Sequence, residues 1–322
     1  MAGRAAALLW VTIWVAGCGV RQAPQKEGTT ERDQARLERG RYLAEAVMAC
    51  FACHSELDWK TPGAPPKPGR KGAGAVFPDE NIPFKLVAPN ITPDPETGVG
   101  RWTDEELARA IRDGVGRDGR VLFPQMPYLN FRVLSDDDLA SVIAYLRSLP
   151  AVRHDPGKSA IPAPVRASLK APPPVGSVPP PDLSTPVHRG SYYVRLGDCG
   201  SCHTPKAPDF RPLPGMDFAG GFLLKGPWGE VASANLTPHA SGISYYDEAM
   251  FVEVMRTGRL QARRLNDIML WGYYRHMTDQ DLKGIYAYLG TLRPVAHRVD
   301  NTEPPSLCKR CGARHGLGAD HL

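Results

Sequence analysis

Apolar residues recur at helical spacing in several separate stretches, with polar, Pro-rich chain between them. The spacing predicts a helix over about 32–48, with Leu37, Tyr42 and Leu43 on its apolar face. Thr103-Asp104-Glu105-Glu106 has the form of a capping box. Leu107, Ala110 and Ile111 then mark a short amphipathic helix that stops near Gly114. Ser135-Asp136-Asp137-Asp138 opens another. Its Leu139, Val142, Ile143 and Leu146 fall at i, i+3, i+4 and i+7, and Pro150 ends it. A last helix opens at Thr278-Asp279-Gln280-Asp281 and carries Leu282, Ile285, Tyr286 and Leu289. Residues 61–74 are rich in Pro and Gly and read as loop. Residues 156–186 show no apolar period and contain two Pro triplets, at 172–174 and 179–181. They read as a semi-rigid linker, or as a strap across one domain.

The pattern occurs twice. Arg39-Gly40-Arg41-Tyr42 returns as Arg189-Gly190-Ser191-Tyr192, and Asn90-Ile91-Thr92-Pro93 as Asn235-Leu236-Thr237-Pro238. Ala144-Tyr145-Leu146 returns as Ala287-Tyr288-Leu289. The expected organisation is therefore an all-α chain of two tandem helical domains. The bounds are 32–155 for the first domain, 156–186 for the linker and 187–299 for the second. A Cys/His tail covers 300–322.

The chemistry sits in a second repeated feature. Cys50-Phe51-Ala52-Cys53-His54 and Cys199-Gly200-Ser201-Cys202-His203 both have the Cys-x-x-Cys-His spacing of c-type haem attachment. Each thiol can add to a haem vinyl group, and the adjacent His can serve as an axial iron ligand. The cofactors expected are two covalently bound haem c groups, on Cys50 and Cys53 and on Cys199 and Cys202. His54 and His203 are the expected proximal ligands. A distal ligand is also required, commonly Met or His. Met126 and Met269 each lie nine residues before the cap of the last helix of their repeat, Ser135 and Thr278. That equivalence selects them over Met277, which aligns with the apolar Leu134. His154 and His297 also repeat, but they follow the last helix and read as surface residues.

The N-terminus reads as an export signal. Arg4 is followed by an apolar run over 5–16, too short to favour a membrane span. Val15-Ala16-Gly17-Cys18 resembles a lipobox, so residues 1–17 are expected to be removed and Cys18 lipidated, with 18–31 as a tether. The expected location is the bacterial periplasm, anchored to a membrane through Cys18. The formal charge of +5 falls by one without Arg4. Two haems would add about four propionates and nearly cancel the rest. No basic patch interleaved with aromatics is present, so no nucleic-acid partner is expected.

These motifs, with Thr97-Gly98-Val99-Gly100 and Met126-Pro127-Tyr128, resemble those of class I c-type cytochromes fused in tandem. The chain is similar to the multihaem cytochrome c subunits of membrane-bound alcohol and gluconate dehydrogenases, over about 40–150 and 190–294. Those subunits typically have three haem motifs, whereas this chain has two. The resemblance implies two cytochrome c-like domains, each around one haem with His/Met ligation. It also implies electron transfer from a dehydrogenase or quinol-linked donor to a terminal acceptor. The alternative is a dihaem enzyme with a reactive haem, a peroxidase or a thiosulfate-oxidising cytochrome. An electron carrier is favoured over an enzyme acting by itself, because two equivalent distal Met candidates speak against an open iron.

Three features stay open at this level. Asn90 and Asn235 either hydrogen-bond near the haem edge or form turns before Thr-Pro. Trp102 and Trp228 either pack on haem or fill core. Cys308 and Cys311 lack a following His. In an oxidising compartment a Cys308–Cys311 disulfide is the economical reading, and zinc binding with His315 and His321 is the alternative.

Overall fold

A computed structural model describes residues 30–301 and 306–315. Cys18, the signal-like run before it and His321 lie outside the described residues. Helices provide the larger elements: α1 (Glu31–Arg41), α2 (Cys50–Cys53), α3 (Asp104–Asp113), α4 (Tyr128–Phe131) and α5 (Asp136–Ser148) in the first half. A short α6 (Ala163–Ser168) lies in the Pro-rich segment. The second half holds α7 (Pro186–Leu196), α8 (Cys199–His203), α9 (Glu248–Thr257), α10 (Trp271–Tyr274) and α11 (Asp279–Gly290). Strands are two to four residues long and pair only as antiparallel ribbons: β1 (Ala75–Val76) with β2 (Val87–Ala88), β3 (Leu223–Gly226) with β4 (Gly229–Ala232), β5 (Arg259–Leu260) with β6 (Arg263–Arg264), and β7 (Ser306–Leu307) with β8 (Arg314–His315). These ribbons have too few apolar residues for a period-2 signal, so an all-helical expectation passes over them. Among the described residues, no helix is long and apolar enough to cross a membrane.

The caps explain the helix boundaries. Thr103 and Glu106 form the expected reciprocal box on α3, and Gly114 ends that helix at φ +65°. Ser135 and Thr278 accept from the backbone amides of Asp138 and Asp281. Helix α1 continues as a π-helical turn over Tyr42–Val47, then turns through Ala49 at φ +46° into α2.

The two halves share their packing in detail. Helix α1 crosses α5 at Gly40, and α7 crosses α11 at Gly190. An added Cβ at Gly40 would fall on the Ser141 carbonyl and 2.8 Å from the Tyr145 Cβ. At Gly190 it would meet the Gly284 carbonyl and lie 2.7 Å from the Tyr288 Cβ. Arg39 grips Asp138 through two hydrogen bonds of 2.7 and 2.8 Å, and Arg189 donates to Asp281 at 2.8 Å. The tyrosines of the same motifs reach across. Tyr192 donates to Asp138 at 2.7 Å, and Tyr42 donates to Asp281. The repeated Arg-Gly-x-Tyr sequence thus ties each half to itself and to the other. One continuous apolar core runs through both halves, from Leu43 and Phe131 to Tyr193 and Leu289.

The Pro-rich segment is a strap on the first half. The Ala160 amide donates to the Lys85 carbonyl at 2.8 Å, and Arg132 donates to the Pro173 carbonyl at 2.7 Å. Ser177 and the Val178 amide donate to Asp136. Hydrogen bonds from Ser177 and Arg112 hold the Asp136 carboxyl down at about 2.

Candidate functional site

Both Cys-x-x-Cys-His segments are one-turn helices, α2 and α8, each entered through a residue of positive φ, Ala49 and Asp198. The left-handed residue swings the chain so that the motif turns back onto the end of the preceding helix. Both imidazoles are buried. His54 Nδ1 lies 2.7 Å from the Pro89 carbonyl oxygen, and His203 Nδ1 lies 2.7 Å from that of Ala234. A carbonyl only accepts, so Nδ1 carries the proton and Nε2 keeps its lone pair. Neither Nε2 has a hydrogen-bond partner among the described residues. Burial lowers the pKa of both rings, with the carbonyl contact opposing, so both are neutral near pH 7. Burial pushes the four thiols Cys50, Cys53, Cys199 and Cys202 up to about 12. A fixed tautomer, a buried imidazole whose Nε2 takes no protein partner among the described residues and two adjacent thiols fit a covalently attached haem, in both halves.

The Asn-x-Thr-Pro segments position these histidines. Pro89 and Ala234, which hold the imidazoles, immediately precede Asn90 and Asn235. Asn90 Oδ1 accepts from the Thr92 amide at 2.9 Å and the Thr92 hydroxyl at 2.7 Å. Its Nδ2 donates to the Val152 carbonyl at 2.7 Å and to Thr97 Oγ1 at 3.1 Å. Asn235 does the same with Thr237 and the Val295 and His297 carbonyls, at 2.8–3.0 Å. Both amides are consumed inside the protein, so of the two readings of these residues the turn prevails. The turn has a further use, because it clamps the chain that follows α5 or α11 to the carbonyl that orients the proximal candidate. The sequence repeat marked these residues, but the long-range partners were not readable from it.

The Met-bearing loops correspond as well. Met126 and Met269 are half-buried against the core, and α4 and α10 begin two residues after them. The aromatic at that position packs on the glycine capping the previous long helix. A Cβ at Gly114 would strike the Tyr128 ring, and one at Gly258 the Trp271 ring. Met277 and Leu134 are both buried in the core, as their alignment suggests. Trp102 lines a cavity of about 390 Å³ with Arg117, Asp118 and Arg120. Trp228 instead packs against Trp59, ring centroids 4.9 Å apart, and its buried Nε1 has no partner among the described residues.

The two motifs interlock across the halves. Asn130 of α4 donates to Asp198, which also accepts from Ser201. Asp198 acts electrostatically on Cys53, and Cys53 on Cys202. Reciprocally, the Gly63 amide donates to Asp267 at 2.8 Å and Tyr273 of α10 to the Ala64 carbonyl at 3.4 Å. Tyr274 is buried beside the second motif and donates to the Gly197 carbonyl at 2.8 Å.

Asp198 went unnoticed in the sequence, where nothing sets it apart from other acidic residues. Burial pushes its carboxyl up to about 6, against the hydrogen bonds from Ser201 and Asn130. Between about pH 4 and 6 the folded chain keeps a proton that the unfolded chain has lost. Stability from this group therefore falls as pH rises through that window and stays lower above it. Asp198→Asn keeps an acceptor oxygen for both donors and tolerates the φ of +54°. The variant is expected to be the more stable at pH 7 by on the order of 2 kcal/mol, the difference vanishing below pH 4. Denaturant melts of both proteins over pH 4–8 check this. Parallel pH profiles would refute the assignment.

The cysteines of the tail are free thiols where the sequence suggested a disulfide, and both are buried. His297 is buried too, contrary to the surface position expected for it, because the tail covers it.

A model of the cytochrome c family matches residues 37–150. The chain is 30% identical over 299 residues to the cytochrome c subunit of the quinone-dependent alcohol dehydrogenase of Gluconacetobacter polyoxogenes, covering 86% of this chain and 60% of that one. It is 29% identical over 282 residues to the gluconate 2-dehydrogenase cytochrome c subunit of Pantoea cypripedii, covering 81% and 60%. It is 30% identical over 213 residues to a diheme cytochrome c-type protein of Cereibacter sphaeroides, covering 63% and 70%. The chain thus spans less than two thirds of the length of the two dehydrogenase subunits.

Proposed function

The chain belongs to the cytochrome c family, and from that premise we propose that it is a dihaem electron carrier. It comprises two cytochrome c-like domains, residues 32–155 and 187–299. Cys50 and Cys53 would hold one haem c by thioether bonds, and Cys199 and Cys202 the other. His54 and His203 would be the proximal ligands, Met126 and Met269 the distal ones. When bound, each haem supplies a one-electron couple at its iron. The observation that carries this reading is the duplicated proximal geometry: a buried imidazole, Nδ1 fixed by a carbonyl, Nε2 left without a partner.

The chain's own residues then have definite tasks. Pro89 and Ala234 hold a proton on each Nδ1, which orients the ring and makes Nε2 the better donor. The thioether sulfurs of Met126 and Met269 would favour the ferrous state and raise the potential. The continuous core packs against both motifs, and the interlock through Asn130, Asp198 and Tyr273 keeps them together. That arrangement suits passage of an electron from one half to the other.

The relatives named as subunits of alcohol and gluconate dehydrogenases support a dehydrogenase as donor. A quinol-linked donor would meet the same carrier, and a downstream acceptor completes the path. Val15-Ala16-Gly17-Cys18 supports lipidation at Cys18, which would keep the carrier at a membrane in the periplasm. Mass spectrometry of the matured chain tests the cofactor content. The expected mass exceeds that of the processed, lipidated polypeptide by two haems. Cys50→Ser/Cys53→Ser removes one and Cys199→Ser/Cys202→Ser the other. A single haem in the unmodified chain would refute the dihaem reading.

A further inference from the structure

We propose that His297, Cys308, Cys311 and His315 form a tetrahedral zinc site that staples the C-terminal hairpin to the second half of the chain. One ligand atom from each of the four residues lies within 4.8 Å of the other three. His297 Nε2 is 3.4 Å from Cys308 Sγ, and Cys311 Sγ is 3.2 Å from His315 Nε2. Zinc bonds of about 2.0 Å to nitrogen and 2.3 Å to sulfur give tetrahedral N–S edges of about 3.5 Å. The observed separations are close to those edges, and the two sulfurs are unbridged.

The surroundings are built for a metal as well. His297 Nδ1 donates to the Ala219 carbonyl at 2.8 Å, which turns the Nε2 lone pair toward the cysteines. That is the outer-shell support of a ligating histidine. Gly221, at φ +89°, brings its backbone against the cluster. A Cβ there would lie 2.6 Å from His297 Cε1 and 3.2 Å from His315 Nε2. All four residues are buried, His297 at 0%, Cys308 and His315 at 1% and Cys311 at 6% exposure. Cys308 and Cys311 sit in a small apolar cluster of their own with Met216, Ala219 and Val295.

Charge closes correctly. Binding releases the two thiol protons to solvent, and Zn²⁺ with two thiolates and two neutral imidazoles is a site of zero net charge. A neutral cluster can be buried where a bare charge could not. Two sulfur and two imidazole ligands in a closed shell select zinc with a structural role. Fold economy points the same way. Strands β7 and β8 are two residues each, and such a ribbon does not hold itself together in water. The first half lacks the site: the equivalent His154 directs Nε2 to Glu56 at 3.6 Å, and no cysteine lies between it and Cys199.

Elemental analysis of the mature holoprotein, expressed with added zinc salt, is the test. One zinc per chain is expected, with an X-ray absorption spectrum at the zinc edge showing two sulfur and two nitrogen neighbours. Cys308→Ser/Cys311→Ser should lose the zinc and keep the haem absorption. Normalising to chain rather than to iron keeps this result independent of the haem count. Zinc well below one per chain, another metal in its place, or a chain mass two hydrogens lower from a Cys308–Cys311 disulfide would each overturn the site. Zinc retained by the double variant would do the same. The wild-type measurements decide the matter even if that variant does not fold.

Discussion

Met126→Ala is expected to lower the midpoint potential of one haem by on the order of 100 mV or more and to open its iron to carbon monoxide. Axial ligands command a range of about 0.8 V, and thioether sulfur sits at the high end because it stabilises the ferrous state. Alanine at this position offers no donor, so water or nothing would take the ligand's place. Met269→Ala should do the same to the other haem. The two effects should be separable, since the loops that carry these residues belong to different halves. Met277→Leu is the control. Met277 is buried and stands where the first half has Leu134, so the exchange conserves volume and should leave both potentials unchanged. Redox titration followed optically reads all three variants. A Met126→Ala protein with an unaltered spectrum would show that this residue is core filling and no ligand.

The second large effect is on stability. Gly40→Ala and Gly190→Ala should each cost about 3 kcal/mol, the upper end for overpacking, and lower the melting temperature by roughly 5–10 °C. The reason is that the obstacle is backbone. The added methyl meets a carbonyl of the facing helix, Ser141 in one half and Gly284 in the other, which cannot rotate away. Separating the helices would also stretch the Arg39–Asp138 and Arg189–Asp281 pairs and the tyrosine bonds between halves. Gly290→Ala at the end of α11 is the contrast. No atom lies within 4 Å of a Cβ there, and the exchange should be neutral or stabilise by about 0.5 kcal/mol. Thermal melts of the three variants decide it. Wild-type stability in Gly40→Ala would mean that α1 and α5 are not held at this distance.

Much of this was legible in the chain because it is written twice. Ser135 and Thr278 announce their helices by local chemistry, and the Cys-x-x-Cys-His spacing names its cofactor. Contacts between distant positions were not legible. Asn90 reads as a turn former until its reach to the Val152 carbonyl is seen, and only then does it become the clamp behind His54. Tyr42 and Tyr192 stand out as repeated letters, but their crossing to the other half's aspartate depends on how the halves meet. The tail shows the same limit. His297 is followed by Cys308 only 11 positions later, yet nothing in that spacing says that the tail folds back over it and buries both.

The central claim is that both irons are six-coordinate with firmly held ligands, as a carrier requires. The most direct measurement is an optical spectrum of the matured, reduced protein before and after addition of carbon monoxide. The account predicts no change at either haem. A clear shift at one of them would reveal an open or labile coordination site and would contradict electron transfer as the sole role of the chain.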